Sequence, residues 1–409
     1  MLSVAEARTR ILKRAEPGDA IEVPLPEALG LVLAEPAVAD VDMPPFDRAG
    51  FDGYAVRAED AVQGAYLHVV GLKGDEGEGP EPEVEVEVGP EEAARVTAGD
   101  PLPHGADAVV RTEDTRPDPG TGPPRVIELL GAVGAGQNVL PRGYYLGAGT
   151  VLAPAGSRVR LPMVGLLAAE GCAHPVCHRR VRVAVLAVGN HLIGPGEAPV
   201  MHRERNAAGP TIVAPCLHWG ATAHDLGTVR EPDLDAALSR ALTAAVVVVL
   251  GPTEGAIPRA LARAGVEPVF AGITLTPGKR LSYGVVPGAG SGTARHHVFH
   301  MPANSVGALA VVTLLIGPLI ARLQGGPAVP PPWPRAVWTG TFRPTDDRLW
   351  AVPVTLRLGD DARMHAAPVP YRGKDDVLGF ARADALALLP PRSGPWNGGE
   401  IVEVAPLGP

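Results

Sequence analysis

Hydrophobic residues near the amino terminus recur at helical spacing. Val4, Ala7 and Ile11 lie three or four positions apart, which places them on one face of a helix. Ser3 precedes this pattern and a glutamate follows three residues later, the spacing of a capping box at a helix start. The pattern predicts an amphipathic helix over residues 3–17.

Short alternating stretches replace the helical spacing over residues 46–137. EVEVEVG (83–89) alternates strictly between acidic and apolar side chains, which is typical of a strand with one face in water. DTRPDPGTGPP (114–124) is rich in turn residues and predicts a loop or hairpin tip. We therefore expect a small β-rich domain over 46–137.

Two later strands are apolar on both faces, namely VRVAVLAV (181–188) and AVVVVLG (245–251). Such strands are typical of parallel sheets that helices cover on both sides. Helical segments alternate with them around 207–219, 232–244 and 255–264. This alternation predicts a three-layer α/β/α domain over residues 179–326.

The longest apolar run, residues 305–321, is short for a membrane span and is broken by a Gly-Pro pair, so we expect a buried helix there. GGPAVPPPWP (325–334) predicts a stiff linker. Residues 335–409 are strand-like and punctuated by glycine and proline, which predicts a second small β domain. The predicted class is multidomain α/β plus β.

Charge and cysteine content limit the classes of function that the chain can have. The 409 residues carry a net charge of −9, which does not favour nucleic-acid binding, and HRRVR (178–182) is the only basic cluster. The 3 cysteines are irregularly spaced, which is no disulfide framework and suggests a reducing, cytoplasmic location. No segment resembles a signal peptide, and we expect neither a nucleic-acid nor a membrane partner.

The residues that could bind a ligand lie in loops. GNHLIGPGE (189–197), GPTEGAIPR (251–259) and MPANSVGA (301–308) follow predicted strands of the sheet, where backbone N–H groups can bind an anion. In TPGKR, Lys279 and Arg280 are either ligands of a phosphate or oxyanion, or part of a solvated turn. Thr97, beside a glycine, either contacts a ligand or belongs to an ordinary turn.

Taken together, these segments resemble the molybdopterin molybdenumtransferases, the MoeA and gephyrin E-domain family. PPFDRAGFDGYAVR resembles the family pattern PxFDxSAMDGYAVR, and RVTAGDPLPHGADAVVRTED resembles RIxTGAPxPxGADAVVxxE. VAVLAVGNHLIGPGE resembles VAxxSTGDELxxPG. Further matches occur in the family order, in GQNVLPRGYYLGAGTVLAPAGSRV, TLTPGKRLSYG and HMPANSVGALAVVTLLIGPLIARLQG.

The resemblance implies an elongated protomer that forms a homodimer, with a central molybdopterin-binding-type domain. It also implies a linking domain made of residues 1–45 and 138–178. The implied reaction takes adenylylated molybdopterin and molybdate and releases molybdenum cofactor and AMP, with Mg²⁺ as cofactor. The active site would lie between the central domain and the partner chain's amino-terminal part.

The resemblance also implies roles for individual residues in the matched motifs. Asp52 and Thr97 fall on the family's functional aspartate and threonine and are the candidate catalytic residues. Candidate substrate-binding residues lie in the other matched segments: Arg142, Asn190, His191, Lys279, Arg280, Pro302 and Asn304.

The departures from the family pattern concentrate on acids. The family's GED has become Gly-Tyr-Tyr, with Tyr145 in place of an aspartate, and GDEL has become Gly-Asn-His-Leu, with Asn190 and His191 in place of acids. Glu231 and Glu254 are the acids nearest to two other lost positions. Because Mg²⁺ prefers carboxylate and other oxygen ligands, these changes affect the implied metal site most.

Two hypotheses follow. In the first, the chain is a working molybdenumtransferase with a rearranged metal site formed by Asp52, Glu231 and Glu254. In the second, it is a catalytically degraded paralogue that keeps the fold and acts as a molybdopterin-binding, molybdate-binding or protein-interaction module. The scaffold favours the family function, and the missing acids favour loss of the Mg²⁺-dependent step.

Overall fold

The computed structural model describes residues 1–70, 86–119, 123–288, 294–327, 332–370, 373 and 376–408. The chain forms two compact units. The first unit contains Met1–Glu35, Ala155–Arg160 and Pro175–Pro409, and the second contains Pro36–Pro154 and Leu161–His174. The boundaries of the four predicted domains stay a prediction.

The helices, in chain order, are α1 Val4–Leu12, α2 Leu161–Ala169, α3 Ala208–His218, α4 Leu234–Ala241, α5 Ala256–Arg263, α6 Ser305–Leu323 and α7 Val377–Phe380. α1 begins with the predicted capping box, because the Ser3 hydroxyl accepts the Glu6 N–H at 3.2 Å and the Glu6 carboxylate accepts the Ser3 N–H at 2.7 Å. The carboxylate accepts hydrogen bonds from the Ser3 N–H and from the Ser3 hydroxyl, and these two bonds, in that order, lower the pKa of Glu6. The helix ends at Leu12, earlier than predicted.

The strands fall into sheets that are each confined to one unit. In chain order they are β1 Ala20–Glu22, β2 Ala37–Val38, β3 Arg48–Ala49, β4 Gly53–Val56, β5 Tyr66–Val70, β6 Glu92–Val96, β7 Ala108–Arg111, β8 Thr115–Pro117, β9 Val126–Leu129, β10 Val139–Leu140, β11 Val151–Ala153, β12 Val176–His178, β13 Arg182–Val188, β14 Leu192–Ile193, β15 Glu204–Arg205, β16 Thr222–Val229, β17 Val246–Leu250, β18 Glu267–Ala271, β19 Leu275–Thr276, β20 Ser282–Pro287, β21 Ala294–Met301, β22 Arg335–Trp338, β23 Leu349–Leu358, β24 Met364–Pro368, β25 Ala385–Leu389 and β26 Ile401–Pro406.

The largest sheet of the first unit has the order β16-β13-β17-β21-β20-β18. Its first four strands are parallel, and β20 and β18 extend it antiparallel. Alternate residues of β13 enter two separate cores: one packs against α3 and α6, and the other against α4 and α5. The sheet therefore lies between two helical layers, which confirms the predicted three-layer α/β/α arrangement.

Helix α6 is the core helix of the first unit. It is long and apolar enough to cross a membrane by length and composition, but 83% of its most apolar window is buried inside the protein. Its middle turn, Val312–Ile316, is π-helical, and Gly317 follows it. The prediction of a buried helix in this run is confirmed.

The carboxyl-terminal strands of the first unit close on themselves. β23 pairs with both β24 and β25, and β22 and β26 complete the ring between them. Closure of this kind removes exposed strand edges. The interior is filled by apolar side chains around the fully buried Trp338. β19 adds to this barrel along β23.

The second unit contains a sheet of order β7-β4-β6-β5-β9-β8 over an apolar core. The fold class predicted from sequence, multidomain α/β plus β, is thus confirmed. The predicted hairpin at 114–124 is formed by β8 and β9, and its residues 120–122 lie outside the described residues. The predicted strand at 83–89 lies partly outside them, and the described part forms a single bridge between Glu87 and His104.

Candidate active site

A cavity of about 450 Å³ lies in the first unit, beyond the carboxyl end of β21. Its walls come from the turn after β19, from the start of α6 and from the segment before β23. Four predicted substrate-binding residues line it, Lys279, Arg280, Pro302 and Asn304. The volume is in the range of small-molecule sites.

The amino end of α6 lies at this cavity. Asn304 is the N-cap, and its Oδ1 accepts the N–H of Gly307 at 2.7 Å. The amino end of a helix carries a partial positive charge, which favours anions. Gly307 itself lines the cavity, and a side chain there would meet Asn304 Oδ1 at 3.0 Å. The glycine therefore keeps the helix start open.

The turn that carries Lys279 needs glycine. Gly278 has a φ of 131°, in a region that residues with side chains rarely adopt, and a Cβ there would meet Leu275 Cδ2 at 2.9 Å. The Thr276–Pro277 peptide bond is cis. This backbone path places Lys279 and Arg280, both exposed to solvent, on the cavity wall.

A third cation, Arg348, lines the same cavity and was missed by the sequence reasoning. Its side chain is only 21% exposed and pairs with Asp346. This hydrogen bond is the main reason that the pKa of Asp346 is lowered, and it raises the pKa of Arg348. Arg348 Nε is buried and makes no hydrogen bond with the described residues. Arg348 lies some seventy residues from Lys279, so no local pattern links the two.

The loop after β13 does not line this cavity. Asn190 and His191 are exposed, and His191 Nε2 lies 3.5 Å from Glu204 Oε1. The His191 carbonyl accepts the Glu204 N–H at 2.9 Å, which joins this loop to β15. The structure thus places both residues at the carboxyl edge of the sheet, as predicted, but with a protein carboxylate as the neighbour of His191.

Both predicted catalytic residues, Asp52 and Thr97, lie in the second unit and are exposed. Asp52 Oδ1 accepts the N–H of Ala98 at 2.8 Å. The N–H of Thr97 donates to Asp100 Oδ2 at 2.8 Å, which closes a tight turn. Asp52 and Thr97 are therefore neighbours on one surface, because the Asp52 carboxylate holds the residue after Thr97.

Arg142 also lies in the second unit, where it anchors its own loop. Its Nε donates to Asp42 Oδ2 at 2.5 Å, and its backbone N–H donates to Asp47 Oδ1 at 2.7 Å. The Asp42 carboxylate also accepts the N–H of Ala148, and this bond first, then the one from Arg142, lowers the pKa of Asp42. These contacts join the Arg142 loop to the segment that carries Asp42 and Asp47, and the role of Arg142 in substrate binding stays a prediction.

The comparisons with known proteins agree with this geometry. The family model MoeA N-terminal region (domain I and II) matches residues 2–171. The "Molybdopterin molybdenumtransferase 1" of Mycobacterium tuberculosis is 31% identical, with 99% of each chain covered. This chain belongs to the molybdopterin molybdenumtransferase family. The enzyme of that name from Haemophilus influenzae is 27% identical, covering 100% of this chain and 99% of its own.

A solved structure supports the family assignment in three dimensions. The molybdopterin biosynthesis MoeA protein from Pyrococcus horikoshii matches with a TM-score of 0.81 and 26% identity, and both chains are covered completely. The MoeA-type fold therefore extends over the β-rich unit, the three-layer sheet and the barrel.

Within this molybdenumtransferase fold, the predicted metal ligands are not gathered into a cage. Glu231 opens a 3₁₀ turn after β16, Glu254 lies in the loop before α5, and both are exposed. No group of three or more His, Cys, Asp or Glu side chains that could hold a metal ion occurs among the described residues. One carboxylate oxygen of Asp52 is already used by Ala98. One copy of the described chain therefore does not fit Mg²⁺ as a resident ion.

Proposed function

We propose that this chain inserts molybdate into adenylylated molybdopterin with release of AMP, a step of molybdenum cofactor biosynthesis. Full-length similarity to molybdopterin molybdenumtransferases supports the reaction. The observation that carries the proposal is the convergence of Lys279, Arg280, Arg348 and the amino end of α6 on one cavity.

The charge of the substrates explains the lining of the cavity. Molybdate and the pyrophosphate of the nucleotide are both anions, so they repel each other unless cations and N–H donors surround them. Lys279, Arg280 and Arg348 supply the cations, and the amino end of α6 supplies a partial positive charge. Pro277 and Pro302, both partly exposed, contribute apolar surface, against which the flat pterin ring can pack.

Asp52 and Thr97 are proposed to complete the site from a second copy of the chain in a cytoplasmic homodimer. The resemblance to the family supports this part of the proposal. Both side chains are exposed and adjacent on the surface of the second unit, so they are accessible to such a partner. No step is assigned to Mg²⁺, because the described residues of one chain do not gather a metal cage.

Complementation tests the proposal. A bacterial strain that lacks its own molybdenumtransferase should regain molybdoenzyme activity when this chain is expressed. Lys279→Gln should lower that activity, measured with purified protein and adenylylated molybdopterin, by roughly 10- to 100-fold, because one charge-assisted hydrogen bond contributes about 1.5–3 kcal/mol. Lys13→Gln, at the exposed end of α1, is the matched control. Failure of the unmodified chain to complement would refute the proposal of a working enzyme.

A second candidate, a degraded paralogue that binds the nucleotide without turning it over, is favoured by one observation. Tyr145, Asn190 and His191 occupy positions where the family pattern has acids. In this case calorimetry would show AMP binding that Lys279→Gln weakens, whereas complementation would fail. Failure of both assays would reject both candidates.

A further inference from the structure

A second cavity, of about 250 Å³, lies at the opposite edge of the three-layer sheet. β13, β17 and β21 begin beside it, whereas the candidate active site lies beyond the carboxyl end of β21. Its charged lining consists of Arg179, Arg180, Arg182, Arg295, His296 and Asp19. The basic cluster HRRVR, to which the proposed reaction assigns no role, thus supplies three of these side chains.

The four arginines of this cavity lack acidic partners. None of them forms an ion pair with a carboxylate of the described residues, although acidic residues exceed basic ones in the chain as a whole. Asp19 is the one carboxylate in the lining, and its backbone carbonyl accepts the Arg179 N–H at 2.9 Å. Positive charge gathered in a concave surface attracts anions.

Backbone carbonyls hold two of these guanidinium groups in place. Arg180 Nη1 donates to the Gly220 carbonyl at 3.1 Å, and Arg182 Nη2 donates to the Thr243 carbonyl at 2.6 Å. Since a guanidinium has five N–H donors, each keeps several for a ligand. The side chain of Arg295 makes no hydrogen bond or ion pair with the described residues, so none of its donors is used by them.

We infer that this cavity binds a doubly charged tetrahedral oxyanion, inorganic phosphate or the phosphate group of a small monoester. Planar guanidinium groups donate two parallel hydrogen bonds to such oxygens, and these charge-assisted bonds are stronger than neutral ones. A cavity of about 250 Å³ accommodates a phosphate group with a short organic substituent. The inference stands apart from the proposed reaction, because it uses none of the residues that line the candidate active site.

The test is calorimetric titration of the whole protein with inorganic phosphate, at constant ionic strength set with sodium chloride. We expect binding that the double variant Arg182→Gln/Arg295→Gln weakens at least about tenfold, since two charge-assisted contacts are lost. Arg295→Gln alone should also weaken binding, and this change removes no side-chain hydrogen bond or ion pair within the described residues. Arg343→Gln, an exposed arginine that does not line the cavity, is the matched control and should bind like the unmodified protein.

A variant of the other cavity separates the two anion sites. Lys279→Gln should retain the phosphate binding that the arginine changes remove. Absence of phosphate binding in the unmodified protein, or binding that Lys279→Gln abolishes and the arginine changes leave intact, would overturn the inference. Glycerol 3-phosphate as a second titrant identifies the source of the anion: tighter binding assigns the site to phosphomonoesters, and weaker binding assigns it to the free ion.

Discussion

Replacing His297 should change how the stability of the first unit depends on pH. The ring is 1% exposed, and its Nδ1 shares a hydrogen bond of 2.7 Å with the Tyr283 hydroxyl. Its Nε2 is buried without a hydrogen-bond partner among the described residues. Burial, and then the positive charges of His296 and Arg14, lower the pKa of His297 to about 3. A proton on this ring would therefore be a buried charge with poor compensation.

The size of the effect follows from proton linkage. The pKa is about 3 in the folded protein and 6.5 in the unfolded chain, so between these values the unfolded chain binds the extra proton. The stability contributed by neutral His297 is complete above pH 6.5 and is lost as the pH falls toward 3. Because each pKa unit corresponds to about 1.36 kcal/mol, going from pH 7 to pH 5 should cost about 2 kcal/mol through this group alone.

His297→Gln removes the titrating ring and keeps a group that can bond to Tyr283. We expect the variant to be less stable than the unmodified protein at pH 7, with a deficit about 2 kcal/mol smaller at pH 5. Urea unfolding followed by tryptophan fluorescence measures this, because all 5 tryptophans lie in the first unit with His297. His202→Gln, an exposed loop histidine, is the matched control. A deficit of equal size at both pH values would refute the reasoning.

Three further predictions concern the helices and the metal. Gly317→Ala should destabilise the first unit by about 1–2 kcal/mol, since its Cβ would meet Trp219 Cε2 at 2.2 Å and overpacking outweighs the gain in helix propensity. Gly165→Ala in α2, whose Cβ meets nothing within 4 Å, should instead stabilise its helix by up to about 1 kcal/mol. Equal shifts of the melting temperature in the two variants would contradict both expectations. Asn304→Ala should cost about 1 kcal/mol by removing the cap of α6, measured by urea unfolding, and Asn304→Asp should restore most of it; no loss in the alanine variant would contradict the capping role. Calorimetry of the ligand-free protein should show no micromolar Mg²⁺ binding, and such binding would show that Asp52 and other acids form a site that the described chain does not gather.

Much of the fold could be predicted because the signals are local. The capping box of α1, the alternation of helices with fully apolar strands and the turn residues between short strands each depend on a few neighbouring residues. Strand pairing over long distances could not be predicted. The closure of the carboxyl-terminal barrel depends on β23 pairing with β25, and β19, which lies between β18 and β20 in the chain, joins that barrel. Tertiary packing decides these contacts, and nothing in the local pattern encodes them.

The candidate site shows the same division. Lys279, Arg280, Pro302 and Asn304 were identified by motif, and the structure brings all four to one cavity. Arg348 was not identified, because it lies in the loop between the barrel strands β22 and β23 and is marked by no motif. Arg142 was also identified by motif, and the structure pairs it with Asp42 and Asp47, which lie on a segment about a hundred residues earlier in the chain. A motif match places a residue near a site, but only three-dimensional contacts show which of its donors are available.

The residues that this chain shares with the family pattern, and those that it lacks, suggest that nucleotide binding and molybdate insertion depend on different residues. The cations and the helix start proposed to bind anions are present and converge on one cavity, whereas Tyr145, Asn190 and His191 stand where the family pattern has acids. His191 Nε2 lies 3.5 Å from Glu204 Oε1, so a carboxylate is still present beside this loop. Anion affinity depends on the summed positive charge of the cavity, and a metal-assisted step depends on a few oxygen ligands in fixed positions. We therefore expect nucleotide binding to be retained even under conditions in which molybdate insertion is slow. A variant such as His191→Asp should change the rate of insertion, and its dependence on Mg²⁺ concentration, more than the affinity for AMP.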